Sequence, residues 1–238
     1  MSGNGAFKAV VIGGSVGGLA AAHELLAIDA DVAVYERSAG TTQARGAGIV
    51  MQPEVEALLA RLGVTSASVS VELHERQQLH VHGGTTSYKA PQLMTAWDTL
   101  YRALREPLAP VCYRLDSSLR SVRVDGSEIT AAFADGYTAQ GNFLVGADGI
   151  GSVTRRLLDV TSRPAYAGYV AWRGLEPESA LPNHLLDLLS DRFTFLGRTE
   201  CRCCATWFPD PTGSERKARG VSTGSGTSTS ASRTCRTS

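Results

Sequence analysis

With 23 basic and 23 acidic residues among 238, the chain has no excess charge with which to hold a nucleic acid, and its 43% hydrophobic content is ordinary for a globular protein. No stretch is long and apolar enough to cross a bilayer, so no membrane partner is expected. Only Cys112 of the five cysteines lies outside the last 38 or so residues, which fits a reduced, cytoplasmic protein.

Ala9 to Ile12 is a short, β-branched run suited to a buried parallel strand, and it runs into the glycine-rich turn GGSVGG and a helix through Leu26. Gly13, Ser15 and Gly18 stand where a GxGxxG turn has its three glycines, so the pattern fails only at its second position. Serine is small, and its hydroxyl can itself donate to a phosphate. The N-terminus of the following helix presents free N–H groups and a positive dipole end, which suits a pyrophosphate. Asp31 to Arg37 (DVAVYER) then reads as a second strand, with Glu36 at its end where an acid binds ribose hydroxyls, and Arg37 counts with it as a cofactor-binding residue.

Gln43 to Val50 (QARGAGIV) is a glycine-spaced loop, and Pro53 to Leu62 shows one apolar helical face closed by Gly63. Val69 to His82 has strand character, with a turn at Gly83 and Gly84, and Ala96 to Leu108 is helical. Val111 to Arg114 looks like a third parallel strand. The runs Leu119 to Val124, Ile129 to Phe133 and Tyr137 to Gln140, joined by Asp-Gly turns, form an antiparallel meander. Phe143 to Val145 returns to a parallel strand and leads into GADG (Gly146 to Gly149) and a helix through Leu158. Tyr169 to Trp172 is expected as a strand and Leu185 to Leu189 as a helix. His80 and His82 would share one face of a strand, but no carboxylate cluster accompanies them and no metal site is expected.

Four stretches taken together, GGSVGGLAAA (Gly13 to Ala22), RGAGIVMQP (Arg45 to Pro53), TAWDTLYRALR (Thr95 to Arg105) and LVGADGIGSVTRR (Leu144 to Arg156), carry a resemblance to a known family. The chain resembles the group A flavin-dependent aromatic hydroxylases, the para-hydroxybenzoate hydroxylase family, and within it the dihydroxypyridine hydroxylase-like monooxygenases. The resemblance implies an α/β fold, a Rossmann-like FAD-binding domain with a β-meander crossover, interleaved with a partial antiparallel-sheet substrate domain (about 69–95 and 165–195). It places Gly13, Ser15 and Gly18 at the FAD pyrophosphate, Glu36 at the adenosine ribose and Arg45 on the flavin side. Asp148 and Gly149 match the family's second fingerprint, and Arg155 its trailing basic residue. Trp97 departs from the family pattern, standing where many relatives carry an arginine. The implied chemistry is reduction of FAD by NADH or NADPH and transfer of one atom of dioxygen to a small aromatic substrate, with no metal.

From Leu196 onward seven basic and three acidic residues replace the 16 against 20 of the preceding body, and apolar periodicity is lost. Residues 196–238 are therefore expected to be an aberrant, disordered tail attached to a body at 1–195. Cys201, Cys203 and Cys204 lack the spacing of a closed zinc site. Written as degenerate codons and shifted by one base, Cys203 to Gly213 can spell LCYLVPGPDG and Ser222 to Thr227 can contain NWVWY, so a frameshift near Phe195 is expected. On that expectation the family's third motif is missing. Two other functions compete: an NAD-dependent dehydrogenase, which the first turn and Glu36 alone would serve, and a noncatalytic nucleotide-binding remnant.

Overall fold

The structure, a computed structural model, describes residues 7–40, 48–159, 161, 163–167, 169–198, 201–206 and 219–227. In chain order the elements are β1 (Lys8–Ile12), α1 (Val16–Leu26), β2 (Asp31–Tyr35), β3 (Gly48–Val50), α2 (Pro53–Arg61), α3 (Ser66–Val69), β4 (Val71–Leu79), β5 (Thr85–Ala96) and α4 (Trp97–Arg105). They continue with β6 (Tyr113–Arg114), β7 (Leu119–Asp125), β8 (Glu128–Phe133), β9 (Thr138–Gly141), β10 (Phe143–Gly146) and α5 (Val153–Leu158). The last are β11 (Tyr169–Pro177), α6 (Asn183–Leu189), β12 (Arg192–Arg198), β13 (Cys201–Ala205) and β14 (Arg219–Thr227). The chain divides into one compact unit of Met1–Arg45, Ala57–Val64 and Leu100–Pro164, and a second of Gly46–Glu56, Thr65–Thr99 and Ala165–Ser238.

The first unit is built on a parallel sheet of order β10-β1-β2-β6. β1 is central, and its last four residues are all buried, as a strand covered on both faces requires. Val10 and Ile12 share one face and pack with Tyr35 of β2 and with Leu119, Ala131, Phe133 and Ala139 of the antiparallel β7-β8-β9 meander. The Tyr35 and Phe133 rings stack at 4.5 Å. Alternation leaves Ala9 and Val11 for the opposite face, and α1, which packs on β1 and β2, buries Leu19, Ala22 and His23. His23 lies inside because its Nε2–H donates to the Leu104 carbonyl at 2.7 Å, which also fixes the tautomer.

The second unit is a seven-stranded sheet, β11-β14-β13-β12-β4-β5-β3, in which β12 runs parallel to β4 and the other neighbours are antiparallel. Leu73, Met94 and Ala96 form its core with Leu186, Leu189 and Phe193 against them. Gln77 is buried on β4, and its amide donates to the Leu188 carbonyl at 2.7 Å and to Thr194 Oγ1 at 3.0 Å, satisfying both donors.

Several sequence-based expectations are corrected. The strand expected at Val111 to Arg114 is only Tyr113–Arg114, because Pro110 starts a short 3-10 turn through Cys112. His80 and His82 share no strand face: β4 ends at Leu79, His80 bonds Thr86 at 2.9 Å and His82 sits in the turn. The long strand Thr85–Ala96 was not anticipated, since its exposed half, TTSYKAP, lacks alternating apolar residues and is held by backbone pairing to β4. The stretch expected to be disordered from Leu196 contains the end of β12 and strands β13 and β14. Main-chain donors and acceptors suffice to pair these strands with each other and with β11, whatever the side-chain pattern. Residues 199–200, 207–218 and 228–238 of that tail lie outside the described residues.

Leu19 is fully buried and Leu158 is largely exposed. Leu19→Ala should cost about 2–5 kcal/mol in denaturant unfolding, whereas Leu158→Ala should stay within about 0.5 kcal/mol of the unmodified chain.

Candidate functional site

The turn between β1 and α1 is held by three contacts that leave little room for side chains. Gly13 has φ +105, a left-handed backbone that favours glycine, and its N–H donates to the Tyr35 carbonyl at 2.8 Å. A Cβ at Gly18 would run into the Gly13 carbonyl oxygen, and one at Gly14 into the Tyr113 hydroxyl. Gly17 is different: a Cβ there would meet nothing within 4 Å. The turn is thus packed on one side and open on the other. Ser15 is the N-cap of α1, yet its hydroxyl makes no capping hydrogen bond and stays available to a ligand.

Glu36 lies at the end of β2 and is buried. Its Oε2 accepts from the Gly14 N–H at 2.8 Å, and its Oε1 accepts from the Ser38 N–H at 2.9 Å and the Ser38 hydroxyl at 2.8 Å. Burial works to raise its pKa, but these hydrogen bonds prevail and hold the carboxyl below its ordinary 4.5. A carboxylate has about four acceptor sites. With three taken, the remaining one is on Oε2.

Tyr113, on β6, reaches the same turn from the far side. Its hydroxyl donates to the Gly14 carbonyl at 2.9 Å, and the Tyr101 hydroxyl stands 3.4 Å from it. The Arg105 guanidinium lies 4.3 Å over its ring. Burial and the Tyr101 hydroxyl push the Tyr113 hydroxyl well above the usual phenol range, so it remains a donor.

Asp148 caps the second motif. Its Oδ1 accepts from the Ser152 hydroxyl at 2.5 Å, and its Oδ2 accepts from the N–H groups of Val153 at 2.7 Å and Thr154 at 3.0 Å. Against the opposing effect of burial, the Ser152 hydroxyl and these N–H groups hold its carboxyl below the ordinary 3.8. Asp148 therefore anchors the start of α5, while Gly149, with φ +75, turns the chain beside it. Arg155 donates to the Ile150 carbonyl at 2.8 Å, closing the same turn.

A cavity of about 480 Å³ opens over these elements. Gly13, Ser15, Glu36, Arg37, Asp148 and Gly149 all line it, bringing six of the eight sequence-identified residues together. Gly18 stands behind the turn, where it permits the close approach to Gly13. Arg45 lies outside the described residues. The described residues contain no group of three or more His, Cys, Asp or Glu able to hold a metal.

A profile of the FAD binding domain matches residues 6–193 of the chain. The chain belongs to the FAD-binding domain family. It is 36% identical over 191 residues to 2,6-dihydroxypyridine 3-monooxygenase of Paenarthrobacter nicotinovorans, covering 79% of this chain and 48% of the relative. It is 31% identical over 196 residues to a 3-amino-4-hydroxybenzoate 2-monooxygenase of Streptomyces platensis, covering 74% and 48%. The solved structure of 2,6-dihydroxypyridine-3-hydroxylase from Arthrobacter nicotinovorans superposes with a TM-score of 0.88 at 31% identity, over 94% of this chain and 57% of that one. The chain spans about half the length of the curated relatives it matches. The FAD-binding domain match ends at residue 193, just before the change of composition at Leu196.

Three residues that organise this FAD-binding domain escaped the sequence reading. Gly14 was available as the second of two adjacent glycines, and Ser38 as a hydroxyl two residues beyond an acid. Nothing local marks Tyr113, which is 99 residues from the carbonyl it holds.

Because Glu36 titrates below its ordinary value in the folded chain, its contribution to stability is present above about pH 4.5 and drains away as pH falls through the lowered value. Glu36→Gln should melt below the unmodified chain at pH 7, and the gap should narrow steadily as the pH is taken below 4.5. Thermal unfolding across that range measures it.

Proposed function

We propose that this chain binds the adenosine and pyrophosphate portion of FAD in the cavity above the glycine turn, as part of a flavin-dependent monooxygenase. The observation that carries this reading is the convergence on one cavity of an open glycine turn, an uncapped helix start with a free serine hydroxyl, and a buried ionised carboxylate at the adjacent strand end.

The residues fit the group. Gly17 leaves the approach to the α1 N-terminus unobstructed, so phosphate oxygens can reach the N–H groups of the first turn and the Ser15 hydroxyl. The remaining lone pair of Glu36 accepts from a ribose hydroxyl, and its negative charge disfavours a phosphate on that sugar. Arg37, exposed at the rim, places its charge at the nucleotide end. Asp148 and Gly149 shape the wall beside the pyrophosphate. Arg45 serves the flavin end in this reading.

Bound FAD would supply electron transfer from NADH or NADPH and the activation of dioxygen. The substrate is a small aromatic or heteroaromatic ring bearing hydroxyl groups, the class to which a hydroxypyridine belongs. This rests on the similarity to 2,6-dihydroxypyridine 3-monooxygenase. A cytoplasmic location, where reduced nicotinamides are supplied, accords with the reading.

The full chain, purified and given FAD, should retain a yellow chromophore after gel filtration, and Glu36→Ala should lower the retained FAD by about tenfold. A chain that stays colourless at saturating FAD overturns the proposal. Oxidation of NADH or NADPH that accelerates on addition of a hydroxypyridine supports monooxygenase chemistry, whereas reduction of NAD with an alcohol or hydroxy acid would favour a dehydrogenase.

A further inference from the structure

We propose that Tyr113 is a positioning residue of the nucleotide site: by holding the Gly14 carbonyl it aims the Ser15 N–H into the cavity. The inference rests on the reading of that cavity as a nucleotide site. Two successive peptide groups meet in this turn. The first carries the Gly14 N–H, which is fixed by Glu36 Oε2 at 2.8 Å. The second joins Gly14 to Ser15, and its carbonyl is fixed by the Tyr113 hydroxyl at 2.9 Å.

None of the described peptide bonds is cis, and in a trans peptide the C=O and N–H point in opposite directions. With the Gly14 carbonyl drawn toward Tyr113, the Ser15 N–H is directed away from Tyr113, and Ser15 lines the cavity. The first hydrogen bond of the helix is Leu19 N–H to the Ser15 carbonyl at 2.9 Å, so the Ser15 N–H precedes the helical ladder and belongs to the donors that a helix leaves for a ligand.

Tyr113 is itself held in place. It is 8% exposed, its backbone is registered against Val34 in the parallel sheet, and the Arg105 guanidinium covers its ring. Gly14 has no room for a Cβ on this side, so ring and turn are in direct contact. The hydroxyl therefore acts on the ligand only through the peptide it orients.

The substitution that isolates this effect is Tyr113→Phe, which keeps the ring and removes one oxygen. Binding of ADP and of adenosine to the full chain, followed by ligand-observed NMR, separates the pyrophosphate from the nucleoside. Tyr113→Phe should weaken ADP by about five- to tenfold, the loss of one oriented hydrogen bond, and leave adenosine unchanged. Equal weakening of both ligands means a general structural role and overturns the inference, as does undiminished ADP binding. If the unmodified chain binds neither ligand, the nucleotide reading fails first.

A second measurement does not depend on the variant folding. In the unmodified chain titrated with ADP, the Ser15 amide should be among the most shifted backbone signals. A Ser15 amide that does not move overturns the assignment.

Discussion

The site depends on how closely α1 starts against the strand that precedes it. Gly18 lies so near the Gly13 carbonyl that any side chain would force the helix away from the sheet. That approach brings the helix N-terminus and the ends of β1, β2 and β10 to one edge of the parallel sheet. Ligands bind at such edges in α/β folds because the strand ends and helix starts leave unpaired donors there. Relaxing the approach at Gly18 would move Ser15, the Gly14 peptide and the anchor of Glu36 together.

The two carboxylates at this edge have similar physics and different tasks. Glu36 spends three of its acceptor sites on the turn and on Ser38, leaving one unused on Oε2, and the residue lines the cavity. Asp148 spends its oxygens on Ser152 and the first N–H groups of α5. Both are ionised by hydrogen bonds that overcome the burial opposing them. An acid that braces the glycine turn and an acid that caps a helix are thus hard to distinguish by charge state alone, and in this chain both line the cavity.

The parallel unit was legible in the sequence because its signals are local. Apolar runs mark β1 and β2, glycines mark the turn, and Asp-Gly pairs mark the meander, whose turns use positive φ at Gly126 and Gly136. The second unit was read less fully. Half of β5 is exposed and polar, so neither face shows the alternation that identifies a strand, and only its pairing with β4 reveals it. Composition misled at the C-terminal end: β13 and β14 pair through their backbones despite losing the apolar pattern. Of the turn's contacts, those set by spacing were legible in the glycines and Glu36, whereas the Tyr113 hydrogen bond to Gly14 was not, because the β2-β6 register brings it there.

The placement of β10 has a consequence for how the chain folds. β1 finds one neighbour, β2, within a few tens of residues, but its other edge pairs with Phe143 to Gly146, beyond the whole meander and much of the second unit. Closing so long a loop is entropically costly and slow relative to local pairing. During synthesis the central strand must wait with one row of main-chain donors and acceptors unsatisfied, an edge open to pairing with another chain. Between synthesis of β2 and of β10 the nascent chain therefore carries an open strand edge in its parallel sheet, a place where pairing with another chain competes with folding.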